Sequence, residues 1–295
     1  MSEPIIENIV ISGGGINGFL FYGILKESEK QGIWNIKNIR SIWGTSVGAM
    51  LAVLISLGHT WETIDDYLIN RPWDNLFKFD LQSFMTSNGN CGFFNSDFLY
   101  KLCKPLFLSK NIDVHVTMKE FYDITHIDVH VISTNVNSFE LVDISHTTHP
   151  TWKLIDAIYA SSSIPILFKP FINDSNLYCD GLFCSTYPIG ECIASGISND
   201  SIMGISTNIN NSMLKLVESP SLFDYIIYII IYIILKFIRQ DKPTEINKAY
   251  KINSCPFTIQ SLTNVLNSKD ERISLIKQGC QLLSSEDCPT TDSTK

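Results

Sequence analysis

Residues 39–58 read IRSIWGTSVGAMLAVLISLG. The first five are β-branched and aromatic for the most part, as in a short buried strand. From Ala49 the chain is apolar on every side until it stops at Gly58, the pattern of a fully buried helix. Gly44-Thr45-Ser46-Val47-Gly48 lies at the junction. A strand that turns into a helix through G-x-S-x-G holds its serine on a tight, strained turn, with Gly44 and Gly48 giving the backbone room and leaving Oγ accessible. The helix N-terminus beneath favours negative charge developing there. A plain glycine-bounded turn with a helix-capping serine has the same five residues, so the pattern by itself makes Ser46 a candidate nucleophile and no more.

Upstream, residues 5–12 form a second short β-branched run that ends in Gly13-Gly14-Gly15-Ile16-Asn17-Gly18 and opens a helical pattern stopping near Gly32. Strand, helix, strand, helix in that order implies a parallel sheet covered on both faces. Free N–H groups of such a glycine loop converge at a helix N-terminus, and two readings compete. Gly13, Gly15 and Gly18 satisfy the dinucleotide pattern G-x-G-x-x-G, but that site needs an acid at the end of the second strand to hold a ribose. Here that strand ends in the Ser46 turn, and the next acid is Glu62. The alternative is an oxyanion hole, in which each backbone donor contributes about 3 kcal/mol to a transition state. Parallel neighbouring strands bring both loops to one sheet edge, so the oxyanion reading is preferred.

The remaining chain supplies helical pieces at 61–68 and 97–103 around a loop, SNGNCG, at 87–92. A capping box follows at Thr117–Glu120. Strands are expected at 127–134, 140–144, 177–179 and 201–207, and helices at 152–160 and 270–283. The short strand ending at Cys179 leads into Asp180-Gly181-Leu182. On its own, Asp-Gly is an ordinary β-turn pair. A net charge of −8 excludes a nucleic-acid surface, which needs a basic excess. Eight scattered cysteines show neither a zinc pattern nor a disulfide framework, and the acidic N-terminus has no secretory signal. All six histidines precede residue 150 and none stands in a motif. No calcium loop of the form D-x-D-x-D-G is present, so no metal or other cofactor is called for.

Together, SGGGING at 12–18, GTSVG at 44–48, ASSSIPILFKP at 160–170 and DGL at 180–182 resemble the patatin-like phospholipases, in the order that family has them. The resemblance covers roughly residues 5–206. It implies a Ser-Asp dyad, with Ser46 as nucleophile and Asp180 as the base that takes its proton. Gly13, Gly14, Gly15 and Gly18 then form the oxyanion loop, with the backbone amides of Gly14 and Gly15 holding the oxyanion, and Ser163-Ile164-Pro165 a wall of the site. Three positions depart from the family pattern: Asn17 stands where a Lys or Arg is usual, Leu182 where a Gly or Ala is usual, and CSTYPI at 184–189 replaces an Asn-rich turn.

The expected fold is a three-layer α/β/α patatin-like domain with a mostly parallel central sheet over 1–210. A helical extension at 211–285 packs on it, and 286–295 is a disordered tail. The expected function is hydrolysis of phospholipid or other acyl-lipid esters through an acyl-Ser46 intermediate. A catalytically silent membrane-surface protein that keeps the fold is the alternative. Residues 222–238, LFDYIIYIIIYIILKFI, hold too short an uncharged run to span a bilayer. They suit either a buried helix or a peripheral membrane contact by a cytoplasmic protein, with Tyr225, Tyr228 and Tyr232 on one face and Lys236, Arg239 and Lys242 beyond.

Overall fold

Alternation along the first strand sorts the molecule into two cores. In the computed structural model, β1 (Asn8–Ile11) pairs in parallel with β2 (Ser41–Thr45), setting Ile9 beside Ile42 and Val10 beside Trp43. Successive side chains point to opposite faces. Ile9, Ile11 and Ile42 therefore enter the larger core, while Val10 and Trp43 enter a smaller one. The structure describes residues 4–73, 76, 92–208, 222–234, 246–253 and 258–284.

Two short strands, β3 (Gly92–Phe94) and β6 (Ile166–Phe168), pair with each other apart from the main sheet. The other strands are β4 (Asp128–Asn135), β5 (Glu140–Ile144), β7 (Phe171–Asn173), β8 (Asn176–Asp180), β9 (Ile202–Asn208) and β10 (Lys248–Asn253). The main sheet runs β10-β9-β1-β2-β4-β8-β7, with β5 also on β4. From β10 to β4 every pairing is parallel; β5 and β8 are antiparallel to β4. The fold is the mixed α/β, mostly parallel architecture that the sequence implied.

On the thick face lie α1 (Gly18–Lys30), α2 (Val47–Ser56) and α6 (Leu154–Ser162). Around them sit α3 (Trp61–Asn70), α4 (Ser96–Leu108) and α5 (Met118–Thr125), the last opened by the expected Thr117–Glu120 capping box. A single turn and a half, α7 (Ile189–Ala194), covers the thin face through Ile189 and Cys192. The C-terminal part supplies α8 (Leu222–Ile233), α9 (Ile259–Asn267) and α10 (Lys269–Ser284). It is not wholly helical, because β10 adds a parallel edge strand to the main sheet.

Helix α10 lies directly on α1. A Cβ at Gly23 would collide with Ile276 O, and one at Gly279 with Leu20 O, so the two backbones meet glycine to glycine. Cys280 Sγ donates to Gly23 O across the same contact at 3.4 Å. The C-terminal part thus braces the helix whose N-terminus carries the glycine loop. Helix α8 buries Ile227, as the chain just after it buries Ile234, and exposes Leu222, Tyr225, Ile229, Tyr232 and Ile233, while Tyr228 is half-buried and stacks on Tyr232. Among the described residues no helix is long and apolar enough to cross a membrane. The expected tail at 286–295, the cations at 236, 239 and 242 and most of the loop at 87–92 lie outside the described residues.

Candidate functional site

The Ser46 turn sits where β2 meets α2, and its geometry follows from its glycines. Ser46 has φ 56° and ψ −121°, a conformation that only a tightly determined site maintains in a non-glycine residue. A Cβ at Gly48 would collide with Ile11 O, and one at Gly44 with the Gly48 carbonyl carbon. Gly48 thus admits the end of β1, and Gly44 lets the helix fold back over the strand. The Ser46 N–H donates to Ser161 Oγ at 2.8 Å, and Ser161 in turn donates to Ile132 O on β4. The strained turn is therefore tied to a neighbouring strand through one buried hydroxyl.

Register carries Asp180 to the same level. On β4, Ile132 stands beside Thr45, and Ser133 stands beside Asp180 on the antiparallel β8. The last residue of β8 therefore faces the first residue after β2. A Cβ at Gly181 would lie 2.9 Å from Thr45 Cγ2, which measures how closely the Asp-Gly turn abuts the serine turn. Asp180 is fully buried; its N–H donates to Ser163 O at 3.2 Å, and its carbonyl accepts from Thr134 Oγ1 at 3.0 Å. Its Oδ1 accepts from the Leu182 N–H at 2.9 Å.

Burial pushes the Asp180 carboxyl up to about 7, against the Leu182 amide and the nearby Ser46 hydroxyl, which both favour the charged form. Although that hydroxyl comes close enough to be felt, Oδ2 has no aligned hydrogen-bond partner. Among the described residues only Oδ2 and Ser162 Oγ are buried side-chain polar atoms left in that condition. Unpaired buried oxygens are costly, and two of them beside one strained serine mark a place built for something else to enter.

The glycine loop lies against the same turn: a Cβ at Gly13 would be 3.6 Å from Ser46 Cβ. Its four candidate glycines differ in what their N–H groups do. Gly13 donates to Thr186 O at 2.8 Å, and Gly18 donates back to the carbonyls of Gly15 and Ile16. The N–H groups of Gly14 and Gly15 have no acceptor among the described residues. Both are aimed by pinned carbonyls, since in a trans peptide N–H and C=O point opposite ways. Ser12 Oγ holds Gly13 O at 2.6 Å, while the Asn17 N–H and Nδ2 hold Gly14 O at 3.0 and 2.8 Å. Asn17, in place of a cation, is thus a buried clamp on the loop.

None of the six histidines shares a hydrogen bond with Ser46 or Asp180. His130 lies on the thin face, stacked on Trp43 with ring centroids 3.5 Å apart. Burial works against its charged form, but hydrogen bonds to Asp128 and Asp143 lift it to about 9. His146 completes that network on Asp128 at 2.7 Å. These half-buried contacts hold β4 to the end of β5. Ser12, Ser161 and Ser162 lie in the runs SGGGING and ASSSIPILFKP, but the sequence alone assigns none of them a role of its own. The signal was available in the run ASSS: hydroxyls at the end of an apolar, buried helix have no solvent to satisfy them and must bond inside the protein.

Comparison with known proteins assigns the chain to a family. The chain is 30% identical over 189 residues to an uncharacterized protein of Acanthamoeba polyphaga mimivirus, covering 64% of this chain and 62% of that one. It is 26% identical over 189 residues to a probable lipid hydrolase of Invertebrate iridescent virus 6, covering 63% of each. The match thus spans less than two thirds of either viral relative. A cUMP-AMP-activated phospholipase of Escherichia coli is 38% identical over 64 residues, 21% of this chain and 20% of that one. VipD from Legionella pneumophila shares the fold, with a TM-score of 0.50 at 15% identity over 94% of this chain and 67% of that one. The patatin-like phospholipase profile matches residues 9–193, which contain the glycine loop, the serine turn, the Ser161–Ser163 run and Asp180, and the chain belongs to that family.

Proposed function

We propose that the chain is an acyl-ester hydrolase of phospholipids or related acyl lipids, working through Ser46 and Asp180. The observation that carries this is the fully buried Asp180, its Oδ2 unpaired beside the strained Ser46. A carboxyl lifted to about 7 is a base matched to neutral pH: charged often enough to act, basic enough to take a serine proton. Asp180 removes the Ser46 proton as Oγ attacks the ester carbonyl. The tetrahedral oxyanion lies against the Gly14 and Gly15 N–H groups, whose peptides are held in place before substrate arrives. Protonated Asp180 then gives its proton to the leaving alcohol. Water then attacks acyl-Ser46 as it loses a proton to Asp180, and Asp180 returns that proton to Ser46 Oγ as the acid leaves. Gly13 and Gly18 shape the loop, and Gly44 and Gly48 the elbow, without donating to the substrate. The chemistry needs no metal.

Ser46→Ala should abolish turnover, and Asp180→Asn should reduce it by roughly a hundredfold or more, both with unchanged far-UV circular dichroism. A folded Asp180→Asn protein with most of its activity would overturn the dyad. Peripheral contact with a membrane is the companion reading, and the observation that favours it is the apolar face of α8. Leu222, Tyr225, Ile229, Tyr232 and Ile233 recur at helical spacing and stand open to solvent. A silent membrane-surface protein would need that face alone; a base held at about 7 favours the enzyme.

A further inference from the structure

An apolar cavity of about 200 Å³ is lined by Val47, the residue after Ser46, together with Gly15 of the glycine loop and Ser162. Ser162 Oγ is the unpaired polar atom noted above, in a wall otherwise built almost wholly of carbon. An ester whose polar end meets Ser46 and Ser162 would lay its acyl chain along this wall. Two elements form walls of it: α3, through Tyr67 and Leu68, and α9, through Leu262 and Leu266. The second lies wholly outside residues 9–193, the part of the chain that matches the family.

Arg272 of α10 fixes the spacing of those walls. It is 4% exposed. Its Nη1 donates to Val265 O and Leu266 O, at 2.9 and 2.7 Å, in the last turn of α9. Its Nη2 donates to Ile69 O at 2.8 Å in the last turn of α3. Helix C-termini leave carbonyls without partners and carry partial negative charge, so a planar guanidinium that spans two of them locks the helices together.

Resting on the hydrolase reading, we propose that α9, held by Arg272, is the specificity element of this chain. Leu262 and Leu266 form the wall that receives a long acyl chain, and their bulk decides which chains fit. The test uses the full chain and a series of butyryl, octanoyl and palmitoyl esters. Leu266→Trp and the milder Leu262→Phe should lower kcat/KM for palmitoyl ester by about tenfold or more and leave butyryl ester within about twofold. The melting temperature should not move in Leu262→Phe. Equal losses on all esters, or an unshifted chain profile in a folded variant, would overturn the proposal.

A binding arm separates this inference from the reading beneath it. In Ser46→Ala protein, a fluorescent long-chain fatty acid should bind, and adding Leu262→Phe should weaken it about tenfold. Binding that responds to Leu262 in a chain that never turns over ester would support the cavity and reject the hydrolase. Ser46-dependent turnover with binding indifferent to Leu262 would reject the cavity alone.

Discussion

In the proposed mechanism, Asp180 concentrates the chemistry and its cost in one side chain. Its carboxyl sits near 7 because it is fully buried, so the working base exists above that pH. The logarithm of kcat/KM should rise with unit slope below about 7 and level off above it. A profile flat from acid to neutral pH would contradict the assignment. Stability has the opposite sign. A carboxyl raised in the folded state holds its proton where the unfolded chain has already lost it, so stability falls as pH climbs from the ordinary carboxylate range to about 7. The penalty is fully present above that, on the order of 4 kcal/mol at most. Asp180→Asn should therefore melt higher than the parent at pH 8 and show little gain at pH 4, the signature of a site that trades stability for reactivity.

At the scale of elements, the three consecutive serines at the end of α6 divide the labour. Ser161 ties the Ser46 N–H to β4, the Ser163 carbonyl holds the Asp180 N–H, and Ser162 lines the cavity. Ser161→Ala should lower kcat by up to about a hundredfold with little change in KM, since it displaces a reacting atom without touching the substrate. Steady-state kinetics check this: a rise in KM alone would show that Ser161 shapes binding instead. Helices and strands with strong periodicity were legible in sequence, among them α1, α2, β4, β5 and α10. So was the company of Ser46, the glycine loop and Asp180, because one ordered set of motifs carries all three. Gly14 and Gly15 were the oxyanion donors expected from the sequence; the partners of the Gly13 and Gly18 N–H groups were not legible, because hydrogen bonds to Thr186 O and within the loop decide them. Strand β10, KAYKIN, escaped because its lysines suit an exposed edge better than a buried strand. The distant Arg272 clamp leaves no local pattern at all.

For the whole molecule, the family-matched part and the C-terminal part share one purpose. Strand β10 extends the sheet, α10 braces the loop-bearing α1 through Gly23 and Gly279, and α9 walls the cavity. Helix α8 presents apolar side chains outward, and under the proposed function a lipid surface would give that face a use. Ile229→Ser with Ile233→Ser should reduce turnover on phospholipid vesicles about tenfold and leave a short soluble ester unaffected. Equal losses on both, with a lower melting temperature, would mark α8 as core. Ile234 is no such probe, being 2% exposed. The measurement nearest the centre of the account is mass spectrometry of the full chain after reaction with a fluorophosphonate at neutral pH. One adduct on Ser46, formed at least about a hundredfold more slowly in Asp180→Asn, is the predicted result. No adduct, an adduct on another residue, or equal labelling of the two proteins would contradict the Ser46–Asp180 dyad.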